Sequence, residues 1–297
     1  MLFTIENIKD ACCILAKVKN QIIKKASIKY NYQFLDYSPY LGCIDESFES
    51  KELFIDVNNE IILQKQKIIT DLSILKKLDQ LLSSSEQGSF AKLIQENIEA
   101  KETINYPFYS IIEFENIIKN SFFIIENISP LFHKFLNTLI INITPLVINN
   151  KFTYFSSSSN KTIGNIFVYP LYKKSPSIEI DTILMLAHEA GHQLLYLYQS
   201  FDNIIASKCT SLIYSSVRKT ERPPLLAFHA RIASYFMIHS LNLILEKSIF
   251  NKKIKDYAED KKSTLQKNLK LSLHDFSNKC QLTDLGQKLI NIFIVLT

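Results

Sequence analysis

Residues 188–192 read His188-Glu189-Ala190-Gly191-His192, inside an apolar run from Asp181 through Leu186 to Leu194, Leu195 and Leu197. A run of that length and composition is compatible with a helix, and a helix places positions i and i+4 on one face about one turn apart. Both imidazoles of this HExxH pentapeptide can then reach one metal ion, with Glu189 projecting beside it. The chain has only six histidines, so chance is a weak explanation of the spacing. The competing reading makes the two histidines satisfied polar residues of a core helix, and a third ligand decides between the two.

His229 is the candidate third ligand. It sits in Arg222-Pro223-Pro224-Leu225-Leu226-Ala227-Phe228-His229-Ala230-Arg231-Ile232-Ala233, where paired prolines can open a helix but cannot sit within one. Leu225, Leu226, Ile232, Ala233 and Phe236 share its helical face, which turns the imidazole toward a core. Burying a histidine without a partner is costly. Residues 193–228 leave ample chain for a helix end, a loop and a return helix.

Arginine usage points to the same place. Of 34 basic residues only Arg218, Arg222 and Arg231 are arginine, and all three lie close to His229 in sequence. A lysine is a solvated point charge, whereas the planar guanidinium grips a carboxylate or phosphate in two parallel bonds. The cluster therefore suggests an anionic ligand beside the metal, with structural ion pairs to acids such as Glu221 as the plainer alternative.

The bulk properties exclude several classes. At 297 residues, with 47% hydrophobic and 21% charged residues, the chain can build a real core. Its net charge of +5 is spread over single and paired lysines with no basic stripe, so no nucleic-acid partner is expected. Five cysteines without a CxxC pair read as ordinary thiols in a reducing compartment. The first residues lack a basic segment before an apolar one, and charges interrupt every apolar run. The expectation is a cytoplasmic enzyme with no membrane partner.

The patterning predicts helices over Ile5 to about Lys29, Ile61 to Leu82, Ile111 to Ile128 and Leu131 to Leu139. Ile141–Thr144, Lys151–Phe155 and Gly164–Tyr169 read as strands, with Ser156–Ile163 as a polar turn between the last two. Asp181 can cap the HExxH helix, and Leu282–Gln287 reads as a turn into a last helix. The fold expected is α+β and predominantly helical, with a small mixed sheet before a zincin-like HExxH helix. A boundary near residue 105 divides a helical N-terminal region (1–105) from a metal-binding catalytic region (106–297). A sheet followed by an HExxH helix also suits a zinc peptidase, in which Glu189 deprotonates a zinc-bound water.

The order Phe155-Ser156-Ser157-Ser158-Ser159, Gly164-Asn165-Ile166-Phe167-Val168, the HExxH helix, Glu221-Arg222-Pro223-Pro224 to His229-Ala230, and Leu282-Thr283-Asp284-Leu285-Gly286 resembles a known family. It is similar to the HExxH-motif proteins of ribosomal peptide natural-product clusters, α-ketoglutarate-dependent peptide β-hydroxylases, over roughly residues 150–297. Two departures stand out: Ala190-Gly191 replace a bulky residue and glutamine, and no tryptophan precedes the arginine segment. The resemblance implies Fe(II) held by His188, His192 and His229, with positions open for α-ketoglutarate and oxygen, and a peptide or precursor peptide as substrate. It implies a cation for the far carboxylate of the co-substrate, for which Arg222 is the first candidate. Arg231, two residues past His229 and so on the opposite side of its helix, is second and is expected to meet solvent or another element. Glu189 then orients a ligand or substrate, and Ser157 and Ser159 are candidates for hydrogen bonds to peptide or co-substrate, if their serine run is more than a turn. The alternative cofactor is zinc, in a metallopeptidase. His133, His239 and His274 carry no site in this reading.

Overall fold

The computed structural model describes residues 5–45, 51–65, 67–83, 111–145, 156–168, 176–206, 209, 211–215 and 220–294. They form a mostly helical α+β fold with a small mixed sheet and a separate two-stranded hairpin. The chain packs as two compact units, each discontinuous in sequence: one of Met1–Cys12, Lys119–Leu139 and Ser175–Thr297, the other of Cys13–Ile118 and Ile140–Lys174. The boundary expected near residue 105 lies outside the described residues, as does the strand expected at 151–155. Among the described residues, no helix is long and apolar enough to cross a membrane.

The unit built around the sheet contains most of helix α1 (Ile5–Tyr30), α2 (Lys51–Gln64) and α3 (Leu72–Ser83). Helix α1 stops where Asn31 takes φ 47°, a left-handed conformation that asparagine tolerates. The single helical stretch expected from Ile61 to Leu82 is instead broken. Lys65 turns at φ 49°, and residues 67–69 join the sheet through Ile143 N–H to Lys67 O (2.7 Å) and Ile69 N–H to Ile143 O (2.9 Å). Strand pairing to a buried edge thus overrides a pattern that helical spacing also satisfies.

Three strands make the sheet: β1 (Asn142–Pro145), β2 (Ser156–Ser158) and β3 (Asn165–Val168). Central β3 runs parallel to β1 and antiparallel to β2. Ser156–Ser158, read from sequence as part of a turn, is therefore a strand; the turn begins at Ser159 and ends at Gly164, whose φ of 88° suits glycine alone. Buried polar side chains bond to one another here: Tyr40 Oη lies 2.7 Å from Thr144 Oγ1, which donates to Asn165 Oδ1. Tyr30 stacks on Phe54 at 4.4 Å between centroids in the adjoining apolar core.

The other unit holds α4 (Ile111–Ile128, from Lys119 on), α5 (Pro130–Leu139), α6 (Ile178–Gln199), α7 (Pro224–Glu246), α8 (Lys252–Lys279) and α9 (Asp284–Ile294). Pro130 opens α5 as its first residue, the position where a missing N–H costs nothing. Thr283 closes the expected turn before α9, its Oγ1 accepting the Gly286 N–H at 3.2 Å. Helix α6 packs on α5 and α7, and α7 packs on α8.

On α7 the half-buried His239 meets the Phe132 ring of α5 edge to face, with centroids 5.1 Å apart. Burial pulls its pKa from the ordinary 6.5 down to about 4. The unfolded chain then binds a proton at a pH where the folded chain does not, so stability is full above pH 6.5 and falls as pH drops toward 4, by at most about 1.4 kcal/mol per pH unit. We expect His239→Gln to flatten the loss of stability between pH 6.5 and 4. Urea unfolding at half-unit pH steps would show it, and identical slopes in the two proteins would refute it.

Candidate metal centre

Helix α6 begins one turn earlier than Asp181 would place it. Ser177 has extended backbone and its Oγ accepts the Ile180 N–H at 3.4 Å, while Asp181 sits in the first turn and accepts a hydrogen bond from Tyr257 Oη at 2.6 Å. Glu179 and Asp181 face the positive end of the helix dipole. Residues 182–187 are all buried, so the helix carries its HExxH pentapeptide through apolar surroundings, with His188 and His192 the half-buried members.

Helix α7 brings His229. A short hairpin precedes it: β4 (Ile213–Ser215) and β5 (Thr220–Arg222) pair antiparallel, with Ile213 opposite Arg222. Pro223 and Pro224 then lead straight from strand into helix, Pro224 being its first residue. Their fixed φ makes the joint stiff. Sequence spacing left room for a loop here and did not show the hairpin, whose strands are three residues each. Leu225 and Leu226, expected to share the buried face, are 36% and 43% exposed, because the first turn of α7 turns Pro224 and Ala227 inward instead. Ile232, Ala233 and Phe236 are fully buried as expected.

The three imidazoles meet. His188 Nε2 lies 3.0 Å from His192 Nε2, and His192 Nδ1 lies 3.1 Å from His229 Nδ1. His192 therefore stands in the middle and turns a different nitrogen to each neighbour. The rings make a chain, not a closed triangle, and among the described residues no three such groups already point at one position. Two nitrogens each about 2.1 Å from one ion lie about 3.0 Å apart when they subtend a right angle. The His188–His192 pair has that separation, while His229 faces the other ring nitrogen of His192. Three imidazoles are suitable donors for iron or zinc alike. Burial, and secondarily the Arg222 charge, lower the His229 pKa to about 4. Its ring is thus neutral near pH 7 and has a lone pair to offer.

Glu189 is 1% exposed, with Oε1 3.8 Å from His188 Nε2. A buried carboxylate is favoured by positive charge nearby, which a bound cation would supply. Tyr196 completes the lining, its ring centroid 4.9 Å from that of His229. Its signal in the sequence is position alone: 188, 192 and 196 form one stripe on the helix.

Gly191 permits a close approach of α6 and α7. A Cβ on Gly191 would lie 3.1 Å from Ala233 Cα and Ile232 O, tighter than ordinary contact with backbone that cannot swing away. Gly191 is thus where the two helices touch, and it flanks His192.

The remaining candidates divide. Arg222, half-buried at the end of β5, is near enough for its charge to act on His229. Arg231 does not meet solvent: it is 1% exposed, with its guanidinium 4.6 Å over the Phe276 ring of α8. Arg218 lies outside the described residues. Ser157 sits half-buried in β2, and Ser159 Oγ accepts the Lys161 N–H at 3.2 Å in the following turn; both belong to the other unit. His133 lies against Phe122 and 3.9 Å from Glu126. His274 is on α8. No protein-family model matches this chain, and no curated protein matches it.

We expect Gly191→Leu to force α6 and α7 apart, destabilising the chain by about 1–3 kcal/mol and weakening divalent-metal retention. Denaturant unfolding and elemental analysis after dialysis measure the two effects. Unchanged stability would mean that the helices do not touch at this residue.

Proposed function

We propose that the chain is an Fe(II)- and α-ketoglutarate-dependent oxygenase that hydroxylates a β-carbon in a peptide or precursor peptide. The observation that carries this reading is the meeting of His188, His192 and His229 from two helices with Arg222 close by. His188, His192 and His229 would hold the ion and leave coordination positions open. The iron, with α-ketoglutarate and oxygen, supplies the oxidising chemistry when bound.

The chain's own residues supply position and charge. Arg222 offers a two-pronged donor to the distal carboxylate of the co-substrate, and the Pro223-Pro224 joint fixes its place relative to His229. Arg231, held over Phe276, supports α7 from the α8 side. Glu189, in its dry surroundings, orients a bound group by hydrogen bonding. Ser157 on β2 and Ser159 in the turn after it are candidates for contact with peptide backbone, since serine hydroxyls can both donate and accept. A zincin-like arrangement, with zinc in place of iron and Glu189 as general base, makes the same residues a peptidase.

The two chemistries separate cleanly in one assay. Protein loaded anaerobically with Fe(II), then given α-ketoglutarate, air and a synthetic peptide library, is expected to add about 16 Da to a peptide. Peptide cleavage by the zinc-loaded protein, with no need for α-ketoglutarate, would overturn the oxygenase reading. Glu189→Gln is expected to reduce the oxygenase only partly, whereas it would abolish a hydrolysis that depends on a general base.

Arg222→Lys keeps the charge and loses the fork. We expect it to weaken α-ketoglutarate binding by roughly 1.5–3 kcal/mol with metal content unchanged. Calorimetric titration of co-substrate into both proteins measures it, and equal affinities would show that Arg222 is structural.

A further inference from the structure

We infer that Cys209 and Cys280 form a reversible disulfide, a modification site separate from the histidine cluster. Their sulfurs are 3.0 Å apart, and both side chains are half-buried, within reach of a small oxidant. Bond formation shortens that separation by roughly 1 Å, to the ordinary S–S length. Neighbouring backbone already holds the two segments together. Ala206 N–H donates to Gln281 O at 3.0 Å, Thr283 N–H donates to Ile204 O at 3.1 Å, and Ile205 pairs with Leu282 as an isolated antiparallel bridge. Gly286 lets this pairing close, since a Cβ there would fall 2.2 Å from Ile204 O. The two thiols therefore sit at one end of a preformed two-stranded contact, which removes most of the ordering cost of joining them.

The other cysteines differ. Cys43 is buried in the sheet-bearing unit, while Cys12 and Cys13 are exposed neighbours on α1. Only Cys209 and Cys280 bring two sulfurs 71 residues apart in sequence into contact.

The chemistry is thiol–disulfide exchange with a low-molecular-weight disulfide. The thiolate of one cysteine attacks a sulfur of the oxidant, breaks its S–S bond and releases one reduced thiol. The second cysteine loses its proton to water and attacks the mixed disulfide, expelling the other reduced thiol. Two protein thiols are oxidised by two electrons in all, and one disulfide molecule is reduced to two thiols.

The bond would close a ring of chain that contains the β4–β5 hairpin, α7 and α8. Lys279, next to Cys280, lies 4.0 Å from Glu221 on β5, beside Arg222. Oxidation thus fastens the end of α8 at the point where it meets the hairpin. This inference does not rest on the oxygenase reading.

The test uses the full chain incubated with a tenfold excess of oxidised glutathione. We expect its free thiols to fall from five to three, its intact mass to fall by about 2 Da for the two hydrogens lost, and non-reducing peptide mapping to link Cys209 to Cys280. The thermal midpoint should rise by several degrees and return on adding dithiothreitol. Cys209→Ser should abolish the link and the rise, and Cys280→Ala serves if that variant does not fold. Five thiols persisting under these conditions, a stable glutathione adduct in place of the internal link, or a link through Cys12 or Cys13 instead would overturn the inference.

Discussion

Contact between α6 and α7 at Gly191 is the constraint on which the candidate site depends. His188 and His192 come from one helix and His229 from the other, so the distance between those helices sets the distance between the rings. A glycine at 191 removes the one side chain that would hold the backbones apart. The apolar residues around it, Leu194, Leu195, Ile232, Ala233 and Phe236, are buried to 2% exposure or less and drive the helices together, and the polar rings occupy the space where that packing stops. The histidine cluster is thus held by hydrophobic burial around it more than by its own hydrogen bonds.

The helical part of the fold was legible because its signals are local. The bounds of α1, α4 and α5 follow apolar spacing and the proline that opens α5, and the last turn announces itself in Thr283-Asp284 ahead of Gly286. The errors arose where a distant partner decided the outcome. Residues 67–69 satisfy a helical pattern and were lost to the sheet edge at Ile143. Ser156–Ser158 has turn-like composition and became a strand because β3 accepts it. The β4–β5 hairpin has too few residues for any periodicity.

The site was legible to a similar degree. Spacing and burial brought His188, His192 and His229 together on paper, and the structure brings them together in space, although as a chain of rings and not around a common point. That difference is beyond sequence, because ring torsions are set by neighbours such as Tyr196 that periodicity cannot weigh. Arg231 shows the same limit. Its helical phase placed it away from His229, but only the position of Phe276 shows that what waits there is an aromatic face and not water.

The direct passage from β5 through Pro223 and Pro224 into α7 has a consequence for how such a chain can change. From Pro224 onward, angular position around the helix is counted in steps of about 100° per residue. One residue inserted between Pro224 and His229 would swing Arg222 and the whole hairpin by that angle relative to the histidine. Length variation among descendants of this chain should therefore spare the six residues that separate Arg222 from His229.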